Sequence, residues 1–315
     1  MNTSEGPREG ERLAVFDIGG TDVKAGLLTD AGLSGVRRVP TPGVPGTDRA
    51  TDLTALIAEL AADADAISVV VPGIVDEAAG VVRFAANLGL REEPLRDRLA
   101  AATGLPVALG HDIAAVGVAE RRLGAARGVD NVLVLPIGTG IAGVAFVDGH
   151  RLRAGGYAGE IGHAPVPGGG PCSCGATGCL ETVASAAAIA RRFSAESGIA
   201  AAGAREVAAL LDDPRAGAAA RRAWDAAIDA LTHALRHCVA VLGPELIVIG
   251  GGLAAAGPAL LDPLTARLHG ALSFHRRPAV VAAQLGPDAG LWGAAILGTD
   301  LLGLTALPRK DRGPT

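Results

Sequence analysis

Short apolar runs rich in β-branched residues alternate with longer segments of helical periodicity along most of the chain. Apolar runs of four to eight residues bounded by glycine or proline are typical of buried strands, whereas apolar residues at spacings of three and four indicate helices. In the first half the pattern predicts strands at 13–17, 23–28, 36–39, 67–71 and 107–109, with helices at 51–62 and 112–123.

The second half of the chain restarts the same pattern. V-F-D-I-G-G-T-D-V-K-A-G-L-L in the first half and V-L-P-I-G-T-G-I-A-G-V-A-F-V in the second both predict a strand, a glycine–threonine turn and another strand. In the second half these two strands are predicted at 132–137 and 141–147, with further strands at 246–249 and 280–283 and helices at 182–196, 216–242 and 258–268. We therefore expect an α/β protein with two lobes on one plan, at 11–125 and 126–300, and disordered tails at 1–10 and 308–315.

Composition and charge narrow the classes of function. The 315 residues are 49% hydrophobic but only 3% aromatic, so the cores must consist mainly of Ala, Val, Leu and Ile. A net charge of −5 argues against a nucleic-acid partner or an anionic membrane surface. No apolar run approaches the ~20 residues of a membrane span, and the polar first residues lack the apolar region of a secretory signal. We expect a cytoplasmic protein.

A cluster of cysteines, one histidine and two carboxylates predicts a metal-stabilised loop. Cys172, Cys174 and Cys179 have the spacing C-x-C-x4-C, and His163 precedes them by nine residues. Three thiolates and one imidazole are the ligand set of a closed, structural zinc site. The chain has four cysteines, and the use of three of them in a metal pattern is typical of a protein in a reducing compartment. A disulfide is the competing interpretation. Another is a zinc knuckle that only fixes the loop, with Glu160 and Glu181 solvated.

Three glycine turns at strand ends predict contacts with phosphates and a nucleotide. Neither the Walker pattern nor the dinucleotide pattern is present, because the first turn leads into a strand. Bare backbone amides in a hairpin turn can still bind phosphate oxygens, and Asp17 before the first turn could hold a hydrated Mg²⁺. Ordinary turn chemistry is the alternative. The turns are Gly19-Gly20-Thr21, Gly138-Thr139-Gly140 and Gly250-Gly251-Gly252.

These segments, in this order, resemble the ROK family of sugar kinases. The matching motifs are D17-I-G-G-T21, P72-G73, G138-T-G140, E160-I-G-H163, C172-S-C-G-A-T-G-C-L-E181 and I249-G-G-G252. The resemblance covers about residues 11 to 300. It implies the two-lobed actin-like ATPase (ribonuclease H-like) fold with a duplicated βββαβα core and a zinc loop at 163–179.

The resemblance also implies a role for each motif residue. Asp112 would be the catalytic base, although an Asp that only caps the following helix is the alternative. The sugar would contact Asn87, Gly73, His111, Asp112, Glu160, His163 and Glu181, with Asn87 as a plain turn residue being the alternative. ATP and its phosphates would contact Asp17, Gly19, Gly20, Thr21, Lys24, the turn Gly138–Gly140 and the turn Gly250–Gly252. Zinc would be bound by His163, Cys172, Cys174 and Cys179.

The implied activity is transfer of the ATP γ-phosphate to the 6-hydroxyl of a hexose, with glucose as the expected substrate and Mg²⁺ accompanying ATP. The alternatives are an N-acetylmannosamine or N-acetylglucosamine kinase and a sugar sensor without catalysis. His111 departs from the family, which usually has Asn before the catalytic Asp. Only about ten polar residues precede the first strand, so the DNA-binding domain of ROK repressors is not expected. The resemblance also implies a homodimer or homotetramer.

Overall fold

The chain folds into a mixed α/β structure, as the sequence predicts. The computed structural model describes residues 11–43 and 48–303, so the predicted disordered tails lie outside the described residues. The described strands are β1 Leu13–Ile18, β2 Asp22–Thr29, β3 Gly32–Pro40, β4 Ala66–Val71, β5 Ile74–Asp76, β6 Val81–Ala85, β7 Leu90–Glu93, β8 Val107–His111, β9 Val132–Pro136, β10 Val144–Val147, β11 His150–Arg151, β12 Leu246–Gly250 and β13 Ala279–Ala282. The described α-helices are α1 Arg49–Leu60, α2 Leu95–Thr103, α3 Asp112–Leu123, α4 Glu181–Ala184, α5 Ala186–Ser197, α6 Ala204–Ala209, α7 Gly217–Leu242, α8 Pro258–Gly270 and α9 Ala289–Leu302.

Two compact units make up the fold. The first contains the described residues up to Ala119, the segment Arg153–Ala158 and the described chain from Pro287 onward. The second contains Glu120–Leu152 and Gly159–Gly286. The sequence-based lobes at 11–125 and 126–300 stay a prediction, and helix α9 lies in the first unit because it packs on β1, β4 and β8.

The first unit is built on a five-stranded sheet in the order β3-β2-β1-β4-β8. Strands β1, β4 and β8 are parallel, and β2 and β3 extend the sheet as an antiparallel hairpin. Asp17 on β1 lies beside Val70 on β4, and Val71 lies beside His111 on β8. The carboxyl ends of the three parallel strands therefore meet at one edge of the sheet.

Helices cover both faces of this sheet. Alternate side chains point to opposite faces of a strand, so Phe16 and Ile18 pack in one core with α1 and α2, while Val15 packs in another with α9. Helix α9 packs closely against α3, because Gly293 has no side chain. A Cβ atom at that position would collide with the backbone of Ala115 on α3. Burial on both faces explains why the parallel strands are continuous apolar runs.

The second unit repeats the plan of the first. Its sheet has the order β11-β10-β9-β12-β13, in which β9, β12 and β13 are parallel and β10 and β11 are antiparallel. Strand β9 therefore corresponds to β1, and β12 to β4. Helix α7 buries one face, including Trp224, Ile228, Leu231 and Leu235, in the core of this unit. The duplicated core that the sequence predicts is confirmed.

Two predicted elements differ from the structure. The predicted strand at 141–147 begins only at Val144, because Ile141 makes a single bridge to Ile137 across the glycine turn. The predicted helix at 182–196 is divided into α4 and α5 at Ser185, which has extended backbone. The Ser185 hydroxyl accepts a hydrogen bond from the Ala188 amide and so caps α5.

Candidate active site

The first glycine turn connects β1 and β2 as a tight hairpin. The Gly19 amide donates to the Asp22 carbonyl oxygen at 2.8 Å, which closes the turn and leads directly into a strand. The Lys24 ammonium lies 3.3 Å from Asp17 Oδ2 and donates to the Pro287 carbonyl oxygen at 2.6 Å. The Asp17 carboxylate, near the end of β1, therefore lies beside the Lys24 ammonium. This geometry agrees with the absence of a Walker loop.

Two further predicted sugar residues lie in the first unit. Asn87 adjoins the first turn, because a Cβ atom on Gly20 would lie 3.1 Å from the Asn87 Cβ. Gly73 follows β4 with φ of +101°, and a side chain there would collide with the Phe84 carbonyl oxygen. Gly73 is thus required by the backbone itself. The structure places Asn87 beside the phosphate turn and Gly73 at the end of the neighbouring strand.

Asp112 and His111 follow strand β8 at the same sheet edge. Asp112 is the first residue of α3, and its Oδ1 accepts a hydrogen bond from the Ile113 amide at 2.6 Å. This contact is with the adjacent amide, whereas a capping side chain accepts from an amide two or three residues further on. The contact of that kind comes from His111, whose Nδ1 accepts from the Ala114 amide at 3.4 Å. The His111 Nε2 also lies 3.2 Å from Asp112 Oδ1. Both side chains keep about a fifth of their surface exposed, at 18% for His111 and 24% for Asp112.

Glu77 is a residue of this region that the sequence did not indicate. Its Oε1 accepts a hydrogen bond from the His111 backbone amide at 3.3 Å, and its Oε2 lies 3.8 Å from Arg153 Nε. Only 14% of the Glu77 side chain is exposed. Glu77 follows the short strand β5 and belongs to none of the motifs, so only the tertiary structure brings it to β8.

In the second unit, the other two glycine turns lie side by side. Gly138 begins a turn closed by its amide and the Gly140 carbonyl oxygen at 2.9 Å. The neighbouring turn follows β12, where the Ile137 amide donates to the Gly250 carbonyl oxygen at 3.0 Å. Gly251 has φ of 72° and ψ of −174°, a conformation that is almost confined to glycine. The parallel strands β9 and β12 therefore bring the two predicted nucleotide turns to one sheet edge.

The predicted zinc ligands converge on one point. The ligand atoms of His163, Cys172, Cys174 and Cys179 all lie within 4.8 Å of one another. Cys172 Sγ lies 3.6 Å from His163 Nδ1, and Cys174 Sγ lies 3.6 Å from Cys179 Sγ. With zinc–sulfur bonds of about 2.3 Å, tetrahedral geometry places neighbouring sulfurs about 3.7 Å apart. All four cysteines of the chain are free, so the disulfide alternative is wrong and the donor set fits zinc.

The cysteines differ in their electrostatic environment. Burial raises the pKa of the Cys179 thiol to about 12, because water cannot solvate its thiolate. A hydrogen bond from the Ala176 backbone amide lowers the pKa of Cys174, which is exposed. A bound divalent cation would stabilise the buried thiolate of Cys179, since metal ligation requires the deprotonated form. The site thus offers one buried and two more accessible sulfurs.

The predicted sugar carboxylates surround the histidine of this cluster. His163 Nε2 lies 3.8 Å from Glu160 Oε2, while its Nδ1 lies 3.9 Å from Glu181 Oε1. Cys172 Sγ is 3.3 Å from Glu181 Oε1. A Cβ atom on Gly140 would lie 3.2 Å from Glu181 Oε2, so Glu181 is also next to the second glycine turn. Glu181 is therefore held between the cluster and the turn, whereas Glu160 is 37% exposed and its described contact is the one with His163.

Comparison with known proteins identifies the family. The sequence model of the ROK family matches residues 13–300. The chain belongs to the ROK family. It is 35% identical over 319 residues to the glucokinase of Thermotoga maritima, with 93% of this chain and 98% of that protein covered. It is 28% identical over 288 residues to the N-acetylmannosamine kinase of Pasteurella multocida, with 90% and 95% covered.

Solved structures of the family match with the same coverage. The ROK hexokinase from Thermus thermophilus superposes with a TM-score of 0.74 at 33% identity, covering 93% of this chain and 99% of that one. A ROK glucokinase from Streptomyces griseus, solved with glucose and AMPPNP, has a TM-score of 0.75 at 28% identity and covers 92% and 99%. The predicted family, the actin-like ATPase fold and the assignment as an ATP-dependent hexose kinase are confirmed.

The comparisons and the structure do not establish the remaining predictions in detail. None of the helices in the described part of the chain is long and apolar enough to cross a membrane. The predicted cytoplasmic location, the homo-oligomer and the absence of a nucleic-acid partner stay predictions. The individual residue roles and the preferred sugar are taken up as proposals.

Proposed function

We propose that this ROK hexose kinase is a glucokinase that phosphorylates the 6-hydroxyl of glucose with ATP. The observation that carries the proposal is the placement of Asp112 at the carboxyl end of β8, on the sheet edge that also bears the Asp17 turn. A proton acceptor and a phosphate-binding hairpin on one edge are what phosphoryl transfer to a hydroxyl requires. The glucokinase of Thermotoga maritima, matched along nearly its whole length, supports glucose as the sugar.

The chemical step follows from these groups. The sugar O6 attacks the γ-phosphorus of ATP, the bond from that phosphorus to the bridging oxygen breaks, and ADP leaves. Asp112 accepts the O6 proton, a contribution of roughly 10²- to 10⁴-fold in rate. The backbone amides of the turns at Gly19–Thr21 and Gly138–Gly140 hold phosphate oxygens, with the Gly250–Gly252 turn at the nucleoside. Asp17 would hold Mg²⁺ that arrives with ATP, and Lys24 balances the charge of that carboxylate.

The second unit recognises the sugar through its carboxylates. Glu160 and Glu181 accept hydrogen bonds from sugar hydroxyls, and the His163 Nε2 side of the ring faces the same ligand. Zinc bound to His163, Cys172, Cys174 and Cys179 would fix this loop and supplies no reacting group, because all four positions are taken by protein atoms. Gly73 and Asn87 would contribute backbone and amide contacts to the sugar from the first unit.

A panel of sugars tests the proposal. With saturating ATP and Mg²⁺, kcat/KM should be highest for glucose and lower for mannose, N-acetylglucosamine and N-acetylmannosamine. Asp112→Asn in the same assay is the control for contaminating kinases, because it should remove phosphorylation of every sugar. A higher kcat/KM for N-acetylmannosamine would favour the second candidate, which the full-length match to the Pasteurella multocida kinase supports. Sugar binding without turnover of any hexose would instead indicate a sensor.

A further inference from the structure

The Asp17 carboxylate is paired with the Lys24 ammonium by the strand register of the first sheet. Asp17 and Lys24 are direct partners across β1 and β2, and side chains of directly opposed residues lie on the same face of a sheet. Lys24 Nζ donates a hydrogen bond to Asp17 Oδ2 at 3.3 Å, so the two charges form an ion pair. Both side chains are largely buried, with 18% of Asp17 and 21% of Lys24 exposed. The fold itself therefore places a cation at this carboxylate.

A second hydrogen bond holds the ammonium in this position. Lys24 Nζ also donates to the Pro287 carbonyl oxygen at 2.6 Å. Pro287 belongs to the short 3₁₀ turn Gly286–Asp288, which directly precedes α9. Because this carbonyl attracts the ammonium independently of the carboxylate, Lys24 would stay close to Asp17 even where a competing cation weakened the ion pair.

Helix α9 covers another side of the Asp17 carboxylate. Gly290 lies in the first turn of α9, and a Cβ atom at that position would collide with the carboxylate. The N-terminus of a helix has a partial positive charge. Asp17 therefore faces the full charge of Lys24 and the partial charge of α9 before any ligand binds. Both charges repel a bare divalent cation that approaches the carboxylate.

We propose that Lys24 excludes free divalent cations from Asp17, so that Mg²⁺ binds there only together with ATP. The inference rests on the proposed function, because it takes Asp17 as the carboxylate that holds Mg²⁺. Proteins usually bind Mg²⁺ through one or two carboxylates together with phosphates of the substrate. The phosphates of ATP can attract the Lys24 ammonium away from Asp17, since lysine binds phosphate as a point charge. Lys24 is thus a residue that determines specificity for the metal–nucleotide complex.

Binding of Mn²⁺, which prefers the same oxygen ligands as Mg²⁺, tests the inference without turnover. The full chain, loaded with Zn²⁺ and freed of the excess, is titrated with Mn²⁺ without nucleotide, and electron paramagnetic resonance measures the free Mn²⁺. Asp17→Asn identifies the part of the binding that depends on Asp17. We expect that part to be about tenfold tighter in Lys24→Met than in the parent, because the variant lacks the adjacent repelling charge.

A second titration, in the presence of the non-hydrolysable ATP analogue AMPPNP, has the opposite expectation. Lys24→Met should bind the Mn²⁺–AMPPNP complex about tenfold more weakly than the parent, because a cation that attracts phosphate is lost. Opposite changes in the two titrations distinguish this role of Lys24 from a merely structural one, which would weaken both kinds of binding.

Two further variants show whether the charge at position 24 is responsible. Lys24→Arg keeps a cation beside Asp17 and should bind free Mn²⁺ as weakly as the parent. Arg38→Met is the matched control for net charge, because Arg38 is the partner of Lys24 on β3 and lies 3.9 Å from Asp22. It should leave both titrations unchanged. If the thermal unfolding midpoint shows that Lys24→Met is unfolded, Lys24→Gln takes its place in both titrations.

Three results would overturn the inference. One is equal affinity of the parent and Lys24→Met for free Mn²⁺, which would mean that the number of ligands, and not Lys24, limits binding at Asp17. The others are a tighter binding of free Mn²⁺ by Lys24→Arg or by Arg38→Met. Asp17→Asn separates these results from failure of the proposed function. If that variant keeps the parental affinity for Mn²⁺–AMPPNP and the parental turnover of glucose, Asp17 does not hold the metal.

Discussion

The two units present their candidate functional residues in different ways. In the first unit, Asp17 lies near the end of β1, and Gly73 and Asp112 follow β4 and β8, so the sheet register places all three at one edge. In the second unit, the glycine turns follow β9 and β12 in the same manner, but Glu160, His163 and Glu181 belong to a long loop and its flanks after the two-residue strand β11. Regular backbone positions the first set of residues, and side-chain ligands position the second.

This difference has a physical cause in the loop's composition. Between Pro165 and Cys179 the loop has isolated bridges, turn hydrogen bonds such as the Cys172 amide to the Ala176 carbonyl at 2.9 Å, and a hydrogen bond from the Gly170 amide to Thr182 Oγ1 at 3.0 Å. Gly169 lies so close to the Gly178 backbone that a side chain would collide. A segment with few apolar side chains gains little from burial, so a bound ion can supply the missing folding free energy, on the order of 10 kcal/mol.

The largest expected effect on turnover is that of removing the proposed proton acceptor at the edge of the first unit's sheet. Asp112→Asn keeps the shape and the hydrogen bond from the Ile113 amide but removes the proton acceptor. Turnover with glucose and ATP should fall by roughly 10²- to 10⁴-fold, while glucose binding measured by calorimetry should change little. Turnover near the parental level would show that the sheet edge does not supply the base.

Removal of a zinc ligand should act on the loop and leave the first unit unaffected. Cys174→Ser should lower the metal content below one zinc per chain and raise KM for glucose about tenfold. KM for ATP should change less, because the predicted phosphate turn at Gly138–Gly140 is closed by its own backbone hydrogen bond and adjoins the cluster only through Glu181. The matched control is Cys238→Ser, outside the cluster on α7, which should keep both the metal and the KM values. Parental KM for glucose in a metal-free protein would contradict the role of the ion.

Substitutions at two adjacent glycines test how strictly the backbone after β12 requires glycine. Gly251→Ala should lower the free energy of unfolding by about 1–3 kcal/mol, because its dihedral angles suit only glycine and its Cβ would collide with the Ile137 carbonyl oxygen. Gly252→Ala is the control, since no atom lies within 4 Å of its Cβ position. It should stay within about 0.5 kcal/mol of the parent. Denaturant unfolding measures both, and equal losses would refute the strain argument.

The sequence predicted the parallel strands, the three glycine turns and the metal ligands, since each has a local signal. Helix α9 was missed because glycines at 290, 293 and 298 lower helix propensity, yet each is where the helix contacts a neighbour closely. The small sheet β5–β7 was missed because its strands are only three to five residues long. Glu77 was missed because its contact with His111 joins residues 34 positions apart, which no local pattern records.

The smallest expected effect is a difference in the rate of alkylation between Cys174 in the metal-dependent loop and Cys238 on the packed helix α7. Burial raises the pKa of Cys238 to about 11, so its thiol stays protonated at neutral pH and gains thiolate only as the pH approaches that value. Cys174 has a lowered pKa and is exposed. At pH 7.5, iodoacetamide should modify Cys174 only after chelation, and Cys238 slowly in either case, as mass spectrometry of peptides would show. Because ligation protects a thiolate that is otherwise the more reactive one, equal labelling of Cys174 with and without chelator would mean that Cys174 binds no ion.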